Sequence, residues 1–207
     1  MYANAANALL AVRAPAHLGF IYDPRGSWRE VVLAFLAQGL AQGERVTYLY
    51  DHGEAQDHLN DLDRMGVAVG EALAGGQFSL MEAGRFYRAQ HQNPDLGDNL
   101  GLGMMPPTAL LEQVTSTLKK DQKLGFPRLR TVAEMGWADS DNPKELELLA
   151  EYEQRLNSDI FPHFPLTSLC LYDRQRFNPL WQDMVCRSHP LLFSPAGLIQ
   201  QETTPAG

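Results

Sequence analysis

Leu129-Arg-Thr-Val-Ala-Glu-Met-Gly-Trp137 is the stretch on which the fold turns. It is a short apolar run that ends in an acid, Glu134, with a tryptophan just beyond. Runs of this length between turn signals read as buried strands. Long helical patterns stand on both sides, over Pro107 to Leu124 and Pro143 to Ile160, so a central parallel strand is predicted. In open parallel sheets, ligands bind outside the carboxyl ends of the strands. Glu134 and Trp137 therefore fall where a crevice is expected, unless Glu134 pairs with a basic neighbour and Trp137 fills core.

Working outward, the segments before and after repeat the same logic. His17 to Tyr22 is a compact strand that ends in the turn Asp23-Pro-Arg-Gly-Ser27, with Ser27 as helix N-cap. Val31, Val32, Phe35, Leu36 and Leu40 then form a helical stripe that stops at Gly43. Val46 to Tyr50 follows as a second strand, leading into Asp51-His52. A strand, helix, strand order is a βαβ unit, whose strands run parallel and share a carboxyl edge. That edge would carry Tyr22, Arg25, Tyr50 and Asp51. A further helix is predicted over Ala55 to Met65. Val67 to Leu73 and Gln77 to Met81 look strand-like and meet at Gly75-Gly76, which predicts an added antiparallel hairpin. Arg88 to Pro106 is the longest predicted loop, either a lid over the crevice or a surface insertion. After the central strand, Asn142-Pro143 starts a helix, Leu166 to Tyr172 makes another buried strand ending at Asp173, and Asn178-Pro179 starts the last helix. The expected division is an N-terminal arm over 1–15, one domain over 16–193 and a frayed tail over 194–207.

Glu153 is a misfit. On a helical wheel it falls in the apolar stripe of Leu146, Leu149, Leu156 and Ile160, with Asn157 beside it. A buried carboxylate must protonate, meet a cation such as Arg130 or Arg187, or face a polar cavity. His17 begins its strand, opposite the predicted crevice, and reads as a fold-stabilising residue.

Composition narrows the function. A formal net charge of -8 and an isoelectric point near 5.2 argue against a dedicated nucleic-acid domain. No apolar stretch approaches a membrane span and the N-terminus lacks signal-peptide features, so a cytoplasmic protein is expected. Cys170 and Cys186 form neither a disulfide framework nor a CxxC pair. The six histidines show no close metal-ligand spacing, and neither metal nor cofactor is expected. GxxxxGK[ST] is missing after the first strand, as is GxGxxG, so nothing grips nucleotide phosphates and NTP hydrolysis is not expected.

Several pieces together resemble the MEDS-type sensory domain, named after methanogens, methylotrophs and the DcmR regulator. They are His17 with the strand to Tyr22, Phe35 to Gly43 with the next strand, Leu129 to Ala138, Tyr152-Glu153 with Leu156-Asn157, Cys170 to Asp173, and His189-Pro190. The resemblance implies a three-layer α/β sandwich, RecA-like and KaiC-like, with a mostly parallel sheet and a degenerate phosphate loop. It also implies sensing of a small organic molecule, such as a hydrocarbon derivative, without catalysis. In that comparison Glu134 falls where the ATPases carry a metal-associated acid, and Asp51 and Glu54 lie near their catalytic acids. The expected ligand-binding set is Tyr22, Arg25, Tyr50, Glu134, Trp137, Glu153, Tyr172 and Asp173. A separate sensor kinase or transcription regulator would receive the signal, and a homo-oligomer is a further expectation. Two alternatives stand beside this: an enzyme using Glu134, Asp51 and Asp173 for acid-base or metal-assisted chemistry, and an interaction module with an empty crevice.

Overall fold

The computed structural model describes residues 3–88 and 103–201. Most of the expected lid, residues 89–102, falls outside them. Sixteen elements follow in order: α1 (Ala3–Leu10), β1 (Ala16–Tyr22), α2 (Trp28–Ala41), β2 (Arg45–Tyr50), α3 (Ala55–Arg64), α4 (Val69–Ala74), β3 (Phe78–Glu82), α5 (Ala83–Tyr87), α6 (Pro107–Lys123), β4 (Leu129–Glu134), α7 (Pro143–Arg155), a π-helical turn (Leu156–Ile160), β5 (Leu166–Asp173), α8 (Pro179–Ser188), β6 (Leu191–Ser194) and β7 (Gly197–Gln200).

The strands form one sheet in the order β3-β2-β4-β5-β1-β6-β7. All neighbours are parallel except the final pair, β6 and β7. The Leu129 strand is central, as its apolar run demands, with β2 and β5 on its two sides. Side chains alternate across a strand, so each one feeds two cores. Leu18, Phe20, Val132, Leu169 and Leu171 join Val32, Phe35 and Leu36 of α2 in one core. Leu129, Ala133, Leu166, Cys170 and Tyr172 join residues of α6, α7 and α8 in the other. The result is a three-layer α/β sandwich.

The predicted helix starts at Asn142 and Asn178 hold: each side-chain oxygen accepts two amides of the first turn, from Lys144 and Glu145 and from Leu180 and Trp181. Ser27 precedes α2 without a side-chain capping bond.

Two expectations change. Val67 to Met81 is not a hairpin: α4 leads into β3, which lies parallel to β2 at the sheet edge. Its few apolar residues fit either period. Val69 and Ala72 are the buried pair of a helical turn, and Gly76, at φ 67°, closes it in the left-handed region that glycine enters freely. The antiparallel pair stands at the opposite edge instead. There β6 pairs with β1, and β7 turns back through Gly197 at φ 119°. The stretch expected to fray thus extends the sheet to Gln200, with α1 packed on β7.

Candidate functional site

Alternation across the sheet divides the expected crevice in two. At the carboxyl edge, on the α2 face, Glu134 is fully buried. It accepts a very short hydrogen bond from the Tyr48 hydroxyl, the amides of Asp51 (2.9 Å) and His52 (3.1 Å), and contacts His52 Nδ1 at 3.0 Å. Arg176 reaches Asp51 at 3.4 Å. Gly136 leaves room for this cluster: a Cβ there would stand 2.4 Å from Asp51 Oδ2 and 2.8 Å from His52 Cε1, so those side chains would have to shift.

Burial raises the Glu134 pKa, but His52, Tyr48 and the Asp51 amide outweigh it and hold the carboxyl below its usual range. Burial likewise raises Asp51. The hydrogen bond to Glu134 raises His52. A histidine raised in the folded state stabilises fully below its unfolded pKa of about 6.5, and that contribution is lost as pH rises through the folded value. NMR titration of His52 should therefore show a midpoint above about 6.5 that falls back toward it in Glu134→Gln. An unchanged midpoint would remove Glu134 as the cause.

Tyr22 stacks on Trp28 at 4.4 Å and is buried at this edge, its hydroxyl pKa pushed up by burial and by Glu134, Asp173 and Asp51. Tyr50 packs obliquely on His58 at 4.9 Å. Asp173 accepts the Gln175 amide at 2.8 Å. Arg25 lies apart: it is exposed and folds back onto Asp23 of its own turn. Glu54 is exposed at the start of α3.

Trp137, Glu153 and Tyr172 belong to the other face. Trp137 stacks on Tyr87 at 4.6 Å and 11°, beneath Arg88, and its Nε1 is buried without a hydrogen-bond partner. Glu153 meets neither Arg130 nor Arg187. Arg130 pairs with Glu44 and Arg187 with Asp183. Glu153 instead contacts His17 Nε2 at 3.0 Å and His189 Nε2 at 3.6 Å, and accepts the Tyr172 hydroxyl at 3.0 Å. Cys170 Sγ lies 3.7 Å from His17 Nε2. All are buried. Four of the segments that carry the family resemblance meet here. His17 is thus part of a polar cluster, a role its place at a strand start did not reveal.

Beside this cluster the sheet and α6 line a partly open cavity of about 70 Å³. Leu49, Val114, Leu118, Leu129, Leu156 and Phe161 are among its apolar walls, Cys170 and Ser168 lie on it, and so do Arg45 and Asp121. Arg45 Nε donates to Asp121 at 3.0 Å, while its Nη1 is buried without a hydrogen-bond partner. No sequence pattern announced this cavity, since its walls come from seven elements.

A central parallel sheet between two helical layers, with its Glu134 strand in the middle, is an α/β fold of the RecA-like, KaiC-like kind. The chain belongs to the MEDS family, the methanogen/methylotroph, DcmR sensory domain, whose family model matches residues 16–190. Among solved structures it is similar to an uncharacterized protein of Pyrococcus horikoshii in complex with an unknown peptide, at 17% identity over 90% of this chain and 83% of that one, TM-score 0.62. It is also similar to a KaiC-like protein of Pyrococcus horikoshii OT3, at 10% identity over 86% and 69%, TM-score 0.54. A third is the flagellar accessory protein FlaH of Methanocaldococcus jannaschii, at 8% identity over 87% and 71%, TM-score 0.56. Identities this low show a shared fold alone. The curated proteins contain no match. Among the described residues no helix is long and apolar enough to cross a membrane.

Proposed function

We propose that this sensory domain binds a small organic molecule in the cavity between the sheet and α6, without transforming it. The observation that carries the reading is the pairing of an apolar wall with the buried, unpartnered Arg45 Nη1. Ligand sites are mostly apolar with a few placed polar groups, and an unmade buried donor costs about 1–3 kcal/mol until something accepts from it. A fitting ligand has a short hydrocarbon body and one acceptor atom, which describes a hydrocarbon derivative. An engineered cavity of about 150 Å³ holds benzene, so this one takes something smaller. Binding would favour one placement of α6 over another and so signal to a separate kinase or transcription regulator.

The test is thermal stability against a panel of one- to three-carbon alcohols, ketones and haloalkanes, with xenon as an acceptor-free control. A panel member bearing an acceptor should raise Tm, and Val114→Phe, which fills the cavity, should abolish the rise. No response from any compound, or an equal response in Val114→Phe, overturns the placement.

A second reading puts chemistry at the carboxyl edge, where Glu134, Asp51, His52 and Arg176 gather. The Glu134 carboxylate is a poor base there, with a lowered pKa and its acceptor sites taken up by four donors. Nucleotide turnover abolished by Glu134→Gln would favour this reading over sensing.

A further inference from the structure

We propose that His17, Glu153, Cys170 and His189 form a buried site for a divalent transition metal of the zinc type. Each offers one ligand atom, and the four atoms lie within 4.8 Å of one another. With Zn–N near 2.0–2.1 Å and Zn–S near 2.3 Å, a tetrahedral site has ligand-to-ligand edges of about 3.3–3.6 Å. The observed separations are 3.0 Å for His17 to Glu153, 3.6 Å for His189 to Glu153 and 3.7 Å for Cys170 to His17. The other pairs lie within 4.8 Å, so the cluster contracts by up to about 1 Å to close on one ion.

The outer hydrogen bonds set both imidazoles for ligation. His189 Nδ1 lies 2.9 Å from the Val185 carbonyl, which only accepts, so Nδ1 carries the proton and Nε2 presents a lone pair. Asn157 has its amide nitrogen directed to the Ser188 and Glu153 carbonyls at 2.7 and 3.3 Å. Its oxygen therefore accepts from His17 Nδ1 at 2.9 Å, and the His17 Nε2 lone pair also faces inward. Metal-binding histidines are held in this way, with the second nitrogen donating to a carbonyl or carboxyl oxygen. Asn157 is supplied by the π-helical turn, a local irregularity found often at functional sites. Gly19 leaves the space that His189 occupies, since a Cβ there would stand 2.9 Å from its ring.

With both imidazole lone pairs directed inward, two atoms in the cluster lack a donor. Glu153 Oε2 and His189 Nε2 are buried with no hydrogen-bond partner, and both side chains are fully inaccessible. A proton on His17 Nε2 would make a buried ion pair with Glu153 but leave the His189 Nε2 lone pair without a donor. A metal ion engages both. Its two charges are matched by one carboxylate and one thiolate, so the loaded site is neutral, as burial favours. Loading displaces the Cys170 thiol proton to solvent as the sulfur-metal bond forms.

Metal content of the gently purified full chain, by mass spectrometry of the elements, is the first measurement. About one equivalent is expected, and chelation should lower Tm by roughly 10 °C. Refilling with Co²⁺ should give a thiolate-to-cobalt charge-transfer band that Cys170→Ser lacks. Asn157→Leu, which removes no ligand atom, should weaken binding about 10–100-fold and keeps the test open if ligand variants fail to fold. A metal-free chain whose Tm ignores Zn²⁺ and Co²⁺ overturns the site. A charge-transfer band that survives Cys170→Ser does so as well, by placing the ion elsewhere. Neither result touches the cavity reading, which is tested at Val114.

Discussion

Glu153→Ala is expected to destabilise the protein by about 3–5 kcal/mol, the range for removing one partner of a buried charged pair. The carboxylate sits at 0% exposure among His17, His189 and Tyr172. Its loss strands the Tyr172 hydroxyl and two imidazoles, and leaves space where the side chain stood. A domain of this length loses roughly 2–4 °C of Tm per kcal/mol, so the melting transition should fall by about 10 °C or more. Glu153→Gln should cost less, because its amide oxygen still accepts from Tyr172. Urea unfolding of both variants measures the difference. A cost below about 1 kcal/mol for the alanine variant, the range of ordinary surface changes, would mean that the cluster contributes no network.

Arg130→Met should lower stability by about 3 kcal/mol for a related reason on the other face of the sheet. Arg130 is 2% exposed and extends from β4 toward α2, where its Nε donates to Glu44 at 2.6 Å and its Nη1 to the Phe35 carbonyl at 3.0 Å. The guanidinium also stands 4.1 Å from the Phe35 ring. Gly39 makes this passage possible, because a Cβ at that point of α2 would lie 2.7 Å from Arg130 Cδ and Nε. Methionine fills the space but leaves Glu44 with only the half-exposed Arg128 at 2.9 Å. Adding Glu44→Met should restore part of the loss, since a buried ion pair replaced on both sides by apolar groups is often neutral. If the double variant is no more stable than the single, the penalty does not arise from the abandoned carboxylate.

Both effects depend on where an acid or base was carried by the fold, and here the one-dimensional pattern and the three-dimensional arrangement part company. Glu153 was conspicuous in the sequence as a charge in an apolar stripe, and burial followed from its helical position. Its partners did not. Arg130 and Arg187 were the reasonable cations, yet Arg130 points to the opposite face of the sheet, while His17 and His189 arrive from β1 and the end of α8. Likewise Tyr172 and Asp173 are neighbours in the chain, but strand alternation directs their side chains to opposite faces of the sheet. Glu134 and Trp137 are divided in the same way.

The sequence by itself determined the layers. Apolar runs bounded by turn residues placed β1, β2, β4 and β5, and the stripes between them placed α2, α3, α6, α7 and α8, because these signals depend on residues a few positions apart. It also specified that β4 would be central and that Glu153 would be buried. Only the tertiary structure decided the edges, where short segments such as Val67 to Leu73 and Leu191 to Gln200 carry too few residues for one period to prevail. The cavity beside Arg45 and the meeting of His17, Glu153, Cys170 and His189 were likewise decided only in space. Such sites join side chains more than a hundred residues apart, and the register of parallel strands that brings them together is set by the packing of the whole sheet.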